Sequence, residues 1–147
     1  SWAKEDFRSL HNARLEGIDT KVSFKKLIVN SRAVIPCSGY YEWKKTENKK
    51  IPYYFTKVDD QDIFLAGMHD NGQFCVITRE AEGNNSNVHN RQPVIIQKSQ
   101  INSYFNLNNN AVEFLNNTNP PKLKFFEIST DVNNPAKNDP SIINPVK

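Results

Sequence analysis

Cysteine is scarce in this chain, with two residues in 147. Cys37 and Cys75 stand in apolar surroundings and far apart, with no CxxC spacing. That excludes a disulfide framework and predicts reduced core thiols of a cytoplasmic protein. Histidine is almost as rare. His11, His69 and His89 fall into no ligand pattern with one another or with the cysteines, so neither a metal site nor a cofactor is expected. No apolar run approaches the roughly 18 residues of a membrane span, and no membrane association is expected. The opening, Ser1-Trp2-Ala3-Lys4-Glu5-Asp6, lacks the apolar core of a signal peptide. An excess of one charge is also missing. Lys and Arg number 19 against 16 Asp and Glu, for a net +3. This is permissive of a nucleic-acid partner and diagnostic of none. Asparagine alone is plentiful, above all from Asn84 onward, and reads as turn chemistry or compositional drift.

The length is that of one domain with a core of its own, and residues 1–147 are read as a single domain. Residues 1–11 read as an extended lead-in. Val22 to Ser31 reads as a short helix, with Ser23 a plausible N-cap and Phe24, Leu27 and Ile28 at helical spacing. Strands are expected over Arg32–Ile35, Gly39–Lys45, Pro52–Val58, Ile63–Met68 and Gln73–Thr78. Pro52 is placed at a strand's first position. Asn71-Gly72 is the strongest hairpin signal. A loop with a weak helical turn follows over 79–88, then a short strand Val94–Ile96. Next come a helix capped by Ser99 and carrying Ile101, Tyr104 and Phe105, a second helix over Ala111–Leu115, and a strand Leu123–Ser129. Hairpins with a few short helices predict an α+β fold whose sheet is mostly antiparallel and curled toward a barrel.

The stretch Ile35 to Lys44, IPCSGYYEWK, draws the eye. It sets one carboxylate, Glu42, among two Tyr and a Trp. A carboxylate in such a setting is costly unless paired or used. An aromatic strand with its Glu turned to water fits the same letters. Adjacent residues of a flat strand face opposite sides, so Glu42 and Trp43 share a pocket only at a bulge or a strand end. Core packing is the plain alternative for Trp43.

Four pieces recur in order: Trp2 with basic neighbours, Asn12-Ala13-Arg14, Gly39-Tyr40-Tyr41-Glu42-Trp43, and His89-Asn90-Arg91-Gln92-Pro93. Pro52-Tyr53, Leu65-Ala66-Gly67, Ile77-Thr78-Arg79 and Ser129-Thr130-Asp131-Val132-Asn133-Asn134-Pro135 accompany them. Together they resemble the SOS response-associated peptidase (SRAP) family from end to end. The resemblance implies a DNA-damage protein that recognises abasic sites in single-stranded DNA. In that family an N-terminal cysteine crosslinks to the opened sugar, its α-amine forming a Schiff base and its thiol closing a thiazolidine. An α-amine with its ordinary pKa of about 7.7–8.0 suits the first step. Carried over residue by residue, the resemblance makes Asn12, Glu42 and His89 the catalytic set. Asn12 would orient the amine, Glu42 would move protons, and His89 would assist at the sugar oxygen or phosphate. Arg14 and Arg91 would grip phosphates, Trp2 and Trp43 would stack on or wedge against bases, and Thr78 would line the site.

The family's nucleophilic cysteine lies upstream of the piece matched by Ser1-Trp2-Ala3-Lys4, together with the first strands of the family fold. Cys37 and Cys75 are internal. The polypeptide as given is therefore expected not to form the stable crosslink, and either to be less stable than the full protein or to self-associate through an unpaired sheet edge. Asn90 and Gln92 also depart from the Asp and Met expected around the histidine. Two other functions stay open: a non-covalent single-stranded DNA binding module, and an abasic-site lyase or peptidase using Glu42 and His89.

Overall fold

A computed structural model describes residues 11–146, and Trp2 lies outside them. The chain forms two compact units. One takes the residues up to Cys37, Ile63–Arg79 and Pro93–Pro121; the other takes Ser38–Asp62, Glu80–Gln92 and the residues from Lys122 onward.

The first unit is built on a sheet whose strands run in the order β1 (His11–Arg14), β6 (Gln73–Glu80), β5 (Ile63–Asp70), β2 (Arg32–Cys37). The pairings of β5 with β2 and β6 are antiparallel, whereas β1 runs parallel to β6, with Asn12 opposite Val76 and Arg14 opposite Thr78. The expected hairpin forms at Asn71-Gly72, where φ is 48° and 77°. Two successive positive φ angles are what a tight hairpin turn requires, and Asn-Gly tolerates them best. Helix α1 (Val22–Asn30) buries Ile28. α2 (Ile101–Phe105) and α3 (Ala111–Asn116) add Tyr104 and Leu115, both fully buried, to a core with Ile18, Met68, Ile77 and Ile96. The Tyr104 hydroxyl donates to the Gly67 carbonyl at 2.8 Å, which satisfies the one polar atom that its burial would otherwise strand.

Arg32 is the unit's polar keystone. Its guanidinium is buried, has no carboxylate partner among the described residues, and donates to four carbonyls: Ile28 at 2.8 Å, Tyr104 at 2.8 Å, Asn106 at 2.9 Å and Asn109 at 2.8 Å. Helix ends leave carbonyls without partners, and one planar five-donor fork serves several of them.

Two expected caps are not the caps observed. Lys21 precedes α1 and Ser23 lies inside its first turn, with no side-chain cap. Ser99 sits within a short 3₁₀ turn, Lys98–Gln100, that closes through the Gln97 N–H donating to Gln100 Oε1 at 3.1 Å. Phe105, expected among the apolar residues of its helix, is 45% exposed.

The second unit holds an antiparallel sheet in the order β3 (Tyr40–Lys45), β4 (Lys50–Lys57), β9 (Leu123–Glu127). Aromatic residues in direct register tie the three strands. Tyr40, Phe55 and Phe125 stack in series at 4.9 Å, and on the alternate positions Tyr54 lies 5.6 Å from Tyr41 and 5.9 Å from Phe126. Each such pair contributes about 0.5–1.5 kcal/mol beyond its buried area. Gly39 opens β3 where a Cβ would strike the Phe55 carbonyl and the Tyr54 ring.

Pro52 is the third residue of β4, not its first, and β4 is the central strand. The Pro52 carbonyl accepts from Ile128 N–H at 3.0 Å. Within an extended strand a residue's own N and O point the same way, so its donorless nitrogen faces the β9 side, just past the last β4–β9 pair, Tyr53 with Glu127. No ladder bond to β3 is lost.

Candidate functional site

Glu42 and Trp43 meet in one cleft of about 560 Å³, lined also by Lys45, Lys50, His89 and Asn133. No bulge interrupts the β3–β4 register. β3 is instead an edge strand of its sheet among the described residues. Since Trp43 pairs with Pro52 without a ladder bond from that residue, its N–H points outward to the open edge. Glu42 Oε1 accepts it at 3.2 Å. The carboxylate thus folds back over the edge it belongs to.

His89 is brought to this carboxylate by the segment between β6 and β7 (Arg91–Pro93). A 3₁₀ turn over Gly83–Asn87 precedes it, and Val88 beside it is buried. Gln92, also buried, closes the loop: its Oε1 accepts from Glu82 N–H at 3.1 Å and from Asn85 Nδ2 at 3.0 Å. Arg91 N–H donates to His89 Nδ1 at 3.0 Å. The Arg91 carbonyl lies 3.3 Å from the same Nδ1, so the tautomer with its proton on Nδ1 also finds a partner and leaves Nε2 free to accept a proton. Nε2 stands 3.9 Å from Glu42 Oε1. Burial raises the Glu42 carboxyl above its ordinary value, opposed by His89 and by the Trp43 N–H bond. A carboxyl that keeps its proton longer than usual, next to an imidazole, is an arrangement suited to proton transfer.

Trp43 is half-buried, not a core residue. Its indole N–H donates to Asn133 Oδ1 at 2.9 Å, and its ring lies 6.4 Å from Tyr41. Asn133 ends a 3₁₀ turn, Thr130–Asn133, whose start is capped by Ser129 Oγ accepting from Asp131 N–H at 3.1 Å. Asp131 also pairs with Lys137 at 2.9 Å. In the first unit Asn12 and Arg14 project from β1 into solvent on either side of buried Ala13, and Thr78 is buried opposite Arg14. Cys75 is buried and its thiol is pushed up by burial; Cys37 is half-buried. Among the described residues, no three of His, Cys, Asp and Glu converge as a metal would need, and no helix is long and apolar enough to cross a membrane.

Sequence reasoning missed Lys45, Lys50 and Asn133. The lysines were within reach, since alternation sets Lys45 on the face of Trp43 and the hairpin register sets Lys50 opposite it. Asn133 carried no such signal, because its partner lies ninety residues away.

The family model for SOS response associated peptidase (SRAP) matches residues 1–135. The chain belongs to that family. It is 28% identical to the abasic site processing protein YoqW of Bacillus subtilis over 97% of this chain and 70% of that protein. Against the abasic site processing protein YedK of Escherichia coli, identity is 33% over 59% of this chain and 43% of that protein. A solved structure of a protein from Bacteroides thetaiotaomicron superposes with a TM-score of 0.79 at 26% identity, covering 92% of this chain and 66% of that one. The chain thus spans about two thirds of the length of these longer matches.

Proposed function

We propose that this protein acts in the DNA-damage response on abasic sites in single-stranded DNA, with Glu42 and His89 moving the protons. The observation that carries the reading is the edge cleft. It combines a carboxyl of raised proton affinity, an imidazole whose Nε2 stands 3.9 Å from that carboxyl, and an aromatic ring braced beside them. Membership of the SRAP family and the names of the matched relatives supply the substrate class.

An abasic sugar is a closed hemiacetal whose aldehyde appears only on ring opening. In our reading the Glu42 carboxyl gives its proton to the ring oxygen as the C1′–O4′ bond breaks. The C1′ hydroxyl loses its proton to His89 or to water, and the carbonyl forms. The step is an isomerisation and consumes no co-reactant. An amine then adds to the aldehyde, the C–N bond forms and water leaves. Glu42, ionised by the ring opening, takes the proton that the added amine sheds and returns it to the departing hydroxyl. Covalent capture as a thiazolidine further needs a thiol beside a free α-amine, which internal Cys37 and Cys75 cannot offer. Asn12 is assigned to orient the amine, Arg14 and Arg91 to hold phosphates, Trp2 and Trp43 to stack on bases, and Thr78 to line the site.

The test is competition binding with labelled single strands, one intact and one carrying an abasic site, together with their duplexes. The abasic single strand should bind tightest, and Glu42→Gln should abolish processing without abolishing binding. Equal affinity for intact and abasic strands would instead identify a plain single-strand binding module.

A further inference from the structure

We propose that Lys45 and Lys50 form a clamp for one phosphodiester of the bound strand, that of the nucleotide next to the lesion. The inference rests on the reading of the Glu42–His89 cleft as the abasic site, and it adds a binding subsite to it.

Lys45 and Lys50 are direct cross-strand partners at the end of the β3–β4 hairpin. Like charges in that register repel. Both are exposed, both line the Glu42 cleft, and neither has an ion-pair partner among the described residues. The contrast within the same unit is informative. Lys57 pairs with Asp59 at 3.4 Å, Lys124 with Asp60 at 2.8 Å and Lys137 with Asp131 at 2.9 Å. Those three lysines each have a carboxylate, whereas the pair that lines the cleft has no ion-pair carboxylate among the described residues. Two lysines in direct cross-strand register, without an ion-pair partner among the described residues, complement an anion.

The anion's identity follows from position. Three residues of extended strand separate Glu42 from Lys45, about 10 Å, so the clamp stands beyond the reacting sugar and not on it. Trp43 lies between, half-buried, its indole N–H fixed by Asn133. An aromatic face followed by a paired positive charge is the pattern that binds one nucleotide of a single strand, base on the ring and phosphate on the cations. Ammonium groups on flexible stems suit a phosphate whose exact angle varies with the base, where a rigid guanidinium fork would not.

The experiment measures affinity for an abasic single strand against salt, in the parent protein and in the double variant Lys45→Met with Lys50→Met. The slope of log K against log salt should fall in magnitude by about 0.7, the contribution of one phosphate contact on a single strand. Low-salt affinity should fall about tenfold and converge with the parent at high salt. A scan replacing each phosphate in turn by neutral methylphosphonate locates the contact. The parent should lose affinity at one linkage adjoining the lesion, and the double variant should be indifferent there. Lys45→Arg with Lys50→Arg, which keeps the charge, should restore the slope. An unchanged slope in the Met variant, or continued sensitivity at every linkage, overturns the clamp. The ratio of abasic to intact affinity reads the lesion site separately. If the parent shows no such ratio, the lesion reading fails, while the slope and the scan, repeated on the intact strand, still decide the clamp.

Discussion

Glu42→Gln is the substitution on which stability and function should part company. In the folded protein burial raises the Glu42 carboxyl, and the opposing influences of His89 and the Trp43 N–H only partly offset it. A folded-state pKa above the unfolded value means that the folded protein holds the proton more tightly. The stability this provides is complete below the ordinary carboxylate range and is lost as pH rises through the raised value. At neutral pH the ionised carboxylate is therefore a cost. Glutamine removes that cost, keeps the side-chain volume, and still accepts the Trp43 N–H through its amide oxygen. The gain should lie at the lower end of the range for relieving functional-site strain, about 0.5–1 kcal/mol, because the attraction between the carboxylate and His89 goes with it and the Trp43 N–H bond loses its charge assistance. Urea unfolding at neutral and at mildly acidic pH is the assay. The Gln variant should be the more stable at pH 7, and the difference should shrink or reverse as the pH falls below 5. Processing of abasic DNA should fall by about 10²–10⁴ as the proton donor is lost. A Gln variant less stable than the parent at pH 7 would refute the reasoning, since it would make the ionised carboxylate a stabilising group.

His89→Asn should keep the loop, because a short amide can accept the Arg91 N–H as Nδ1 does. The loss of the imidazole should raise the Glu42 carboxyl further, as a carboxyl carbon titration by NMR would register. Arg32→Met removes four charge-assisted hydrogen bonds at once and should destabilise by about 3 kcal/mol, read by chemical denaturation. Asn133→Ala frees the Trp43 indole N–H. The ring should become more mobile, seen as lowered tryptophan anisotropy in a Trp2→Phe background, and single-strand affinity should drop about threefold to tenfold.

Where local chemistry decides structure, the letters were enough. Asn71-Gly72 turns because few other pairs tolerate two positive φ angles, and Tyr40–Lys45 is a strand because aromatics alternate along it. The SRAP motifs gave the family and its α+β class for the same reason: they are local strings in a fixed order. What stayed hidden depends on neighbours far away in sequence. β1 is four residues long with Ala13 as its inward apolar residue, and its parallel partner β6 begins nearly sixty residues later. The cap at Ser23 failed because α1 begins before it, after Lys21, and the cap at Ser99 because a 3₁₀ turn opened by Gln97 runs through it and leaves Gln100 as the N-cap of α2. Pro52 sits inside a central strand because its missing donor falls just beyond a neighbouring ladder, a fact about β9 and not about β4. The choice between Glu42 and Trp43 for one pocket dissolves for a similar reason. The rule of alternating faces concerns a strand's two sides, and the Glu42 carboxylate leaves its side to accept the Trp43 N–H at the strand's edge.

The central claim is that the edge cleft of the second unit opens abasic sugars by proton transfer through Glu42. Trapping of the freed aldehyde by an alkoxyamine, followed on a labelled single strand carrying one abasic site, measures that step without reference to which amine attacks afterwards. The account predicts that the protein accelerates oxime formation on the single strand, that Glu42→Gln removes the acceleration while binding persists, and that the rate falls as pH rises through the Glu42 carboxyl's raised range. Oxime formation at the uncatalysed rate, or equal acceleration by the Gln variant, would contradict it.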